Sequence, residues 1–171
     1  LPILVQLRAK GIGNREYERL AHRVLALCRE YGAELLLNAN PEMVGRVGAH
    51  GVHLSGGRLR GTACRPLPEG LRVAASCHDA EGLARAAALG ADFAVLSPVQ
   101  ATASHPGAAP LGWDRFQALV ADSMIPVYAL GGVGPDDIAT ARARGGQGIA
   151  AIRGLWGTGT QASDTERSAA P

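Results

Sequence analysis

Tyr128-Ala-Leu-Gly-Gly-Val-Gly-Pro-Asp-Asp137 reads as a buried strand that runs into a glycine turn and opens a helix directly. Pro126 to Leu130 is a short apolar run of strand character, and Gly131, Gly132 and Gly134 remove the side chains that would keep an anion away from the backbone. Pro135 suits a first helical position, and Asp136 and Asp137 suit the positive end of a helix dipole. Such a turn points N–H groups past the end of the strand, toward a phosphate. The same glycine pair also serves as a plain tight turn, so the rest of the chain has to decide between the two readings.

The plan of that stretch repeats along the chain. Strands are expected over 2–7, 33–37, 51–54, 71–75, 92–96, 127–130 and 147–152, each a continuous apolar run of the kind buried on both faces. Helices are expected over 15–31, 42–47, 79–89, 113–120 and 135–144, with Asp79 as an N-cap and Gly32 as a helix stop. On the first helix Tyr17, Leu20, Ala21, Val24, Leu27 and Cys28 share one face at helical spacing. The stretch 55–70 reads as a loop with at most one or two helical turns, 97–107 as a long loop of small and polar residues, and 154–157 as the start of one more short helix. A compact domain over 1–157 is followed by a polar, aperiodic tail over 158–171 that is expected to be disordered.

Seven strands, six of them separated from the next by a helical segment, make parallel pairing the expectation. The class is α/β, with an open doubly wound sheet or a beta/alpha barrel as the two architectures. The barrel is favoured. A doubly wound dinucleotide fold places its glycine fingerprint after the first strand with an acid about 20 residues on, whereas here the glycine turn follows the second-last strand. Barrels commonly hold phosphate in the loops after strands seven and eight. If the last two strands here are those two, the chain lacks the first strand and helix of a complete TIM-type barrel.

Composition agrees. At 171 residues the chain suits one domain, and 47% hydrophobic residues with only 4% aromatics call for a core of Ala, Val, Leu and Ile. A net charge of +2 is too small to point to nucleic acid or a membrane surface, and no apolar run approaches the ~20 residues of a spanning helix. Cys28, Cys64 and Cys77 are odd in number and form no CxxC pair, against a disulfide framework or zinc and in favour of a reduced, cytoplasmic setting. The chain begins at Leu1 without a methionine, which suggests a domain cut from a longer protein.

In this architecture chemistry belongs just past the C-terminal ends of the strands. Arg8 and Lys10 follow the first strand, and Lys10 is the only lysine in the chain. An ammonium is a compact charge suited to phosphate and a guanidinium adds a planar fork, although both also read as solvated loop charges. Asn38 and Asn40 follow the second strand as hydrogen-bonding groups or as turn residues. His53 in its apolar strand reads as a satisfied core residue rather than a catalyst. Ser76, Cys77 and His78 end the next strand, and adjacent strand residues point to opposite faces, so Cys77 and His78 are not a catalytic dyad. Thr102, Ser104 and His105 offer hydroxyls and an imidazole to a phosphate, or make a surface turn. Arg153, directly after the last strand and opposite the glycine turn, would complete an anion pocket. No strand end supplies two close carboxylates, so the case for a metal is poor.

Several stretches together resemble the thiamine phosphate synthase family, including its TenI-type relatives. Val5-Gln-Leu-Arg-Ala-Lys10 resembles Gln-Leu-Arg-x-Lys, Gly51-Val-His-Leu54 the family's Gly-Val-His-Leu strand, and Ser76-Cys-His78 its Ser-x-His turn. Ala91-Asp92 with Pro98, Val99 and Thr102 resembles the Gly-Ala-Asp strand and Gly-Pro-x-x-x-Thr loop, and Ile125 to Val133 resembles Ile-Pro-Val-x-Ala-Ile-Gly-Gly-Ile. The resemblance implies a barrel that joins a pyrimidine methyl pyrophosphate to a thiazole phosphate with release of pyrophosphate. It implies that Arg8, Lys10, Asn38, Ser76 and Thr102 hold the pyrimidine pyrophosphate, with Lys10 and Arg8 as the catalytic cations, and that Gly131 and Gly132 hold the thiazole phosphate.

Departures from the pattern accompany it. Asn38-Ala39 stands where the family carries Asn-Asp for magnesium, and Ser55-Gly-Gly-Arg58 stands where it carries Gly-Gln-Glu-Asp. Both usual metal carboxylates are replaced, so no cofactor is expected, with magnesium alone left open despite the absence of its usual ligands. His105 falls on the family's loop lysine, Arg153 on a serine, and Ser97 on the histidine a TenI-type tautomerase would want. Similar divergent barrels occur fused to MutT-like Nudix hydrolases, which makes a covalently linked Nudix domain an expected partner. The expectation is therefore a divergent barrel that acts on or binds a phosphorylated, thiamine-related heterocycle, as a transferase or as a non-catalytic ligand-sensing or assembly domain beside a Nudix hydrolase. Homo-oligomer formation is compatible with either.

Overall fold

A computed structural model describes residues 3–102, 107 and 109–155. Seven strands form one parallel sheet in sequence order: β1 (Leu4–Leu7), β2 (Glu34–Leu37), β3 (Gly51–Leu54), β4 (Arg72–Cys77), β5 (Phe93–Leu96), β6 (Val127–Leu130) and β7 (Gly148–Ala150). Helices α1 (Asn14–Glu30), α2 (Glu42–Val47), α3 (Gly56–Gly61), α4 (Ala80–Leu89) and α5 (Gly112–Ala121) connect them. A 3-10 turn, Pro135–Asp137, leads into α6 (Ile138–Ala143). The result is a curled half-barrel of the TIM type, in which each crossover returns to the adjacent parallel strand.

Alternation along the strands divides the core in two. Leu35, Leu37, Val52, Leu54, Val73, Ala75, Ala94, Leu96, Val127 and Ala129 point outward into one large cluster with the helices. Leu36, Ala74, Phe93 and Val95 point inward, with Leu4, Tyr128, Leu130 and Ala150 packed against them. Phe93 and Tyr128 meet edge to face, with ring centroids 5.4 Å apart. Each fully buried Leu or Val contributes about 1.5–3 kcal/mol relative to an exposed one, so the outer layer supplies most of the stability.

Two local readings change. On α1 the buried stripe is Tyr17, Ala21, Leu25 and Cys28, whereas Leu27 is exposed. Leu27 lies roughly 120° around the helix from Ala21, too far to reach the sheet. β4 runs past Ala75 to Cys77, because Ser76 and Cys77 still pair with Val95 and Leu96 of β5. The stretch after β3 keeps to the one or two helical turns expected of it, as the six-residue helix α3, whose N-cap Ser55 accepts from the Arg58 amide. The tail expected over 158–171 lies outside the described residues, and so do residues 156 and 157. Among the described residues no helix is long and apolar enough to cross a membrane.

The N-terminal ends of the strands are tied by charge. Arg72 forms a two-point ion pair with Glu34, its second contact being 3.2 Å. Arg65 reaches Asp92 at 2.9 Å and the Leu71 carbonyl at 2.8 Å, and Asp92 also accepts from the Val73 amide at 2.6 Å. A shallow cleft of about 440 Å³ lies among these groups and His50. Its charges are matched to one another at the stability end of the fold, away from the mouth.

Candidate functional site

The opposite ends of the strands gather the polar residues singled out above. Arg8 is exposed directly past β1, and Lys10 is exposed two residues on. Asn38 follows β2, half-buried, and its amide donates to the Leu7 carbonyl at 2.9 Å, which carries the β1–β2 pairing one step beyond the strands. Tyr17 of α1 donates its hydroxyl to that same carbonyl at 2.8 Å. Burial pushes the Tyr17 phenol up to about 12, opposed by the Asn38 backbone and by the Arg58 charge. Tyr17 therefore remains a neutral pin beneath the ends of β1 and β2, within the field of Arg58.

His53 and Ser76 stand on the inner face of β3 and β4. His53 pairs with Ala74 in the ladder, and Ser76 lies two residues further along the same face. The His53 Nε2 and the Ser76 Oγ are 2.8 Å apart. His53 is 2% exposed, and burial, then the nearby Arg8 charge, lowers its imidazole to about 4. His53 and Ser76 thus form one hydrogen-bonded pair on which the Arg8 charge acts. The link from His53 to Ser76 was not legible in the sequence, where His53 looked like an isolated core residue; its signal is the two-residue diagonal offset of neighbouring parallel strands. Cys77, beside Ser76, faces the helices, and burial pushes its thiol up to about 12, which leaves it an inert thiol. His78 bonds through Nδ1 to the Ser97 carbonyl at 2.7 Å, so Nδ1 carries the hydrogen.

The second cluster is the glycine turn. The segment after β5 runs alongside β6 and is laced to it: Val99 donates to Leu130 and Gln100 to Gly131, each at 2.9 Å. Gly131 and Gly132 have φ of +92° and +72°, where other residues are strained. A Cβ on Gly131 would stand 2.8 Å from Pro98 Cα, and one on Gly132 would stand 2.5 Å from the Ala101 carbonyl oxygen. The glycines therefore serve the contact between two loops as well as access to the backbone. Among the described residues the Gly132 and Val133 amides donate to no protein acceptor. The Gly134 amide is taken by Asp137 Oδ2 at 2.9 Å, while the Gln100 side chain donates to Asp137 Oδ1 at 2.9 Å.

Thr102 is half-buried at the end of the laced segment. Ser104 and His105 lie outside the described residues. Arg153 is exposed in the turn past β7, and its neighbour Gly154 approaches the glycine turn so closely that a Cβ there would stand 3.0 Å from Gly134 Cα. The structure thus brings Arg8, Asn38 and Ser76 to one part of the mouth, and Thr102, Gly131, Gly132 and the Arg153 turn to another.

The acids at these strand ends serve the backbone. Asp79 caps α4 by accepting from the Gly82 amide at 2.7 Å, and Asp137 is held as described. Ala39 is packed in the outer core. Among the described residues no group of three His, Cys, Asp or Glu side chains is placed to hold a metal ion. The donor set suits phosphate oxygens, which need N–H and O–H donors and cations.

Comparison with known proteins gives a concordant picture. The family model described as thiamine monophosphate synthase matches residues 3–155. A relative in Aquifex aeolicus, named provisionally as a thiamine-phosphate synthase, is 38% identical over 149 residues, covering 87% of this chain and 80% of its own length. The thiamine-phosphate synthase of Methanoregula boonei is 34% identical over 155 residues, covering 90% of this chain and 72% of its own. The solved structure of a thiamine phosphate pyrophosphorylase from Pyrococcus furiosus superposes with a TM-score of 0.69 at 25% identity, over 87% of this chain and 71% of that one.

Proposed function

The chain belongs to the thiamine monophosphate synthase family, and on that premise we propose that its mouth binds phosphorylated, thiamine-related heterocycles and retains the family's transfer reaction in a form that does not depend on magnesium. In that reaction the bond from the pyrimidine methylene carbon to pyrophosphate oxygen breaks, with the electron pair leaving on pyrophosphate. The thiazole nitrogen then supplies the pair for the new carbon–nitrogen bond. Arg8 and Lys10 stabilise the leaving group, with Asn38, Ser76 and Thr102 as its hydrogen-bonding partners. Gly131, Gly132 and Arg153 take the thiazole phosphate, and Ser104 and His105 are assigned to the same phosphate-holding loop.

The observation that carries this reading is the chemistry of the mouth: cations and hydroxyl or amide donors stand at the strand ends, while Asp79 and Asp137 are engaged with backbone amides. Fixed cations replace part of a metal's electrostatic role when they are held in place before the charge develops. A second reading, a non-catalytic ligand-binding domain, is favoured by one observation, the packing of Ala39 into the outer core where the family pattern has an acid. The expected covalent link to a MutT-like hydrolase domain belongs to that second reading.

Incubation with both precursors, with magnesium and with a chelator, separates the two. Product formed in the presence of the chelator and lost in Lys10→Ala supports the transferase. Thermal stabilisation by the precursors without turnover supports the binding domain. No turnover and no stabilisation by either precursor overturns both.

A further inference from the structure

Among the described residues the buried polar side chains are His53 and Ser97, and His53 is the one joined to a residue assigned to the ligand. The geometry is restrictive. His53 is fixed by its position in β3, with Val52 and Leu54 locked into the outer core on either side, and its ring extends along the inner face toward the C-terminal end of β4. There Nε2 meets Ser76 Oγ at 2.8 Å, and Ser76 is half-buried at the mouth.

A serine hydroxyl has one hydrogen and two lone pairs, and a neutral imidazole has one N–H and one acceptor nitrogen. Two arrangements of the pair are possible in principle. If Nε2 accepts, the Ser76 hydrogen points at His53 and the hydroxyl shows only lone pairs to the mouth, which repel phosphate oxygens. If Nε2–H donates, a Ser76 lone pair is occupied and the hydroxyl hydrogen turns outward. Burial keeps the imidazole neutral at physiological pH, and the Arg8 charge acts in the same direction. An imidazolium there would also donate to Ser76, so neutrality matters for stability rather than for direction.

We infer that His53 is a positioning residue, which donates its Nε2–H to Ser76 Oγ and thereby aims the Ser76 hydroxyl hydrogen at an anionic phosphate oxygen. The inference rests on the phosphate-binding reading of the mouth. A charge-assisted hydrogen bond of this type changes affinity by about ten- to a hundredfold.

The test uses the full chain and inorganic pyrophosphate, with dissociation constants from calorimetry for the wild type, Ser76→Ala, His53→Leu, His53→Gln and the double variant His53→Leu/Ser76→Ala. Ser76→Ala is expected to weaken binding about tenfold or more, and His53→Leu to match it within about threefold. The double variant is expected to bind no more weakly than Ser76→Ala, because both changes remove the same donor. His53→Gln is expected to retain affinity, since its amide N–H can donate to Ser76. Nitrogen-15 spectra of the histidines, which a purely structural role would not constrain, are expected to show His53 protonated at Nε2 in the pyrophosphate complex.

Wild-type affinity in His53→Leu, additive losses in the double variant, or protonation at Nδ1 in the complex would each overturn the role of His53 and leave the ligand reading standing. If His53→Leu fails to fold, the glutamine variant and the spectra decide. Failure of the wild type to bind pyrophosphate overturns the ligand reading and the inference together.

Discussion

Gly132→Ala is the substitution whose cost the structure specifies most closely. At φ +72° an alanine adopts the left-handed region, which costs about 1–2 kcal/mol. Its methyl would also stand 2.5 Å from the Ala101 carbonyl oxygen and 2.8 Å from Gln100 Cβ, and neither neighbour can retreat freely, because Gln100 is bonded through its amide to Gly131 and through its side chain to Asp137. Overpacking of this kind costs about 1–3 kcal/mol more, for a total of roughly 2–5 kcal/mol. Gly70→Ala is the control: its φ is +89° and nothing lies within 4 Å of the added methyl, so it carries the backbone cost alone. For a chain of this size each kcal/mol moves Tm by about 2–4 °C. Parallel thermal and urea unfolding of the two variants should therefore place Gly132→Ala lower by several degrees. Equal losses in the two would refute the claim that the glycine turn and the segment 98–101 form one interlocked unit.

Two further expectations concern pH. The folded value of His53, about 4, lies below its ordinary 6.5, so between these values the unfolded chain binds more protons and stability falls as pH drops, by roughly 3 kcal/mol at the limit. Urea unfolding across that window should show this slope in the wild type and a shallower one in His53→Gln; identical slopes would contradict a neutral, buried imidazole. The hydrogen bond from Arg72 holds the Glu34 carboxyl below its ordinary range, so this contribution is present at neutral pH and is lost as pH falls through the folded value. Both partners are partly exposed, so Glu34→Gln should cost only about 0.5–1 kcal/mol at low salt and less in about 1 M salt, by the same assay.

The sheet was readable because most strands are built on short apolar runs, such as Leu35 to Leu37, Val73 to Ala75 and Phe93 to Leu96, of the kind a parallel sheet buries. Phase was less readable. On α1 both Leu25 and Leu27 look apolar, and only the angular position relative to Ala21 and Cys28 selects Leu25. The strand ends were readable as polarity, which is why Arg8, Asn38 and Ser76 could be named, but the partner of each polar group depends on which strands are neighbours. Ser76 looked like a residue past the end of a strand, and it is within one, bonded across the ladder to a histidine 23 positions earlier in the chain. The glycine pair was recognisable as a special backbone, while its physical cause, the segment 98–101, is invisible without the fold.

Helix α3 shows the limit most clearly. Gly56, Gly57 and Gly61 make it intrinsically poor, at about 1 kcal/mol each relative to alanine, so local propensity argues for a loop. It forms because tertiary contacts supply what the segment lacks. Ser55 caps its N-terminus, Leu59 is buried to 2% exposure, and Arg85 of α4 donates to the Leu59 carbonyl at 2.8 Å and to the Thr62 carbonyl at 3.3 Å, satisfying C-terminal groups that a short helix leaves open. Arg58, whose charge acts on Tyr17 beneath the mouth, therefore owes its position to an arginine on the next helix. The helical form of residues 56–61 is held by packing outside the segment, and no pattern within residues 55–61 contains that dependence.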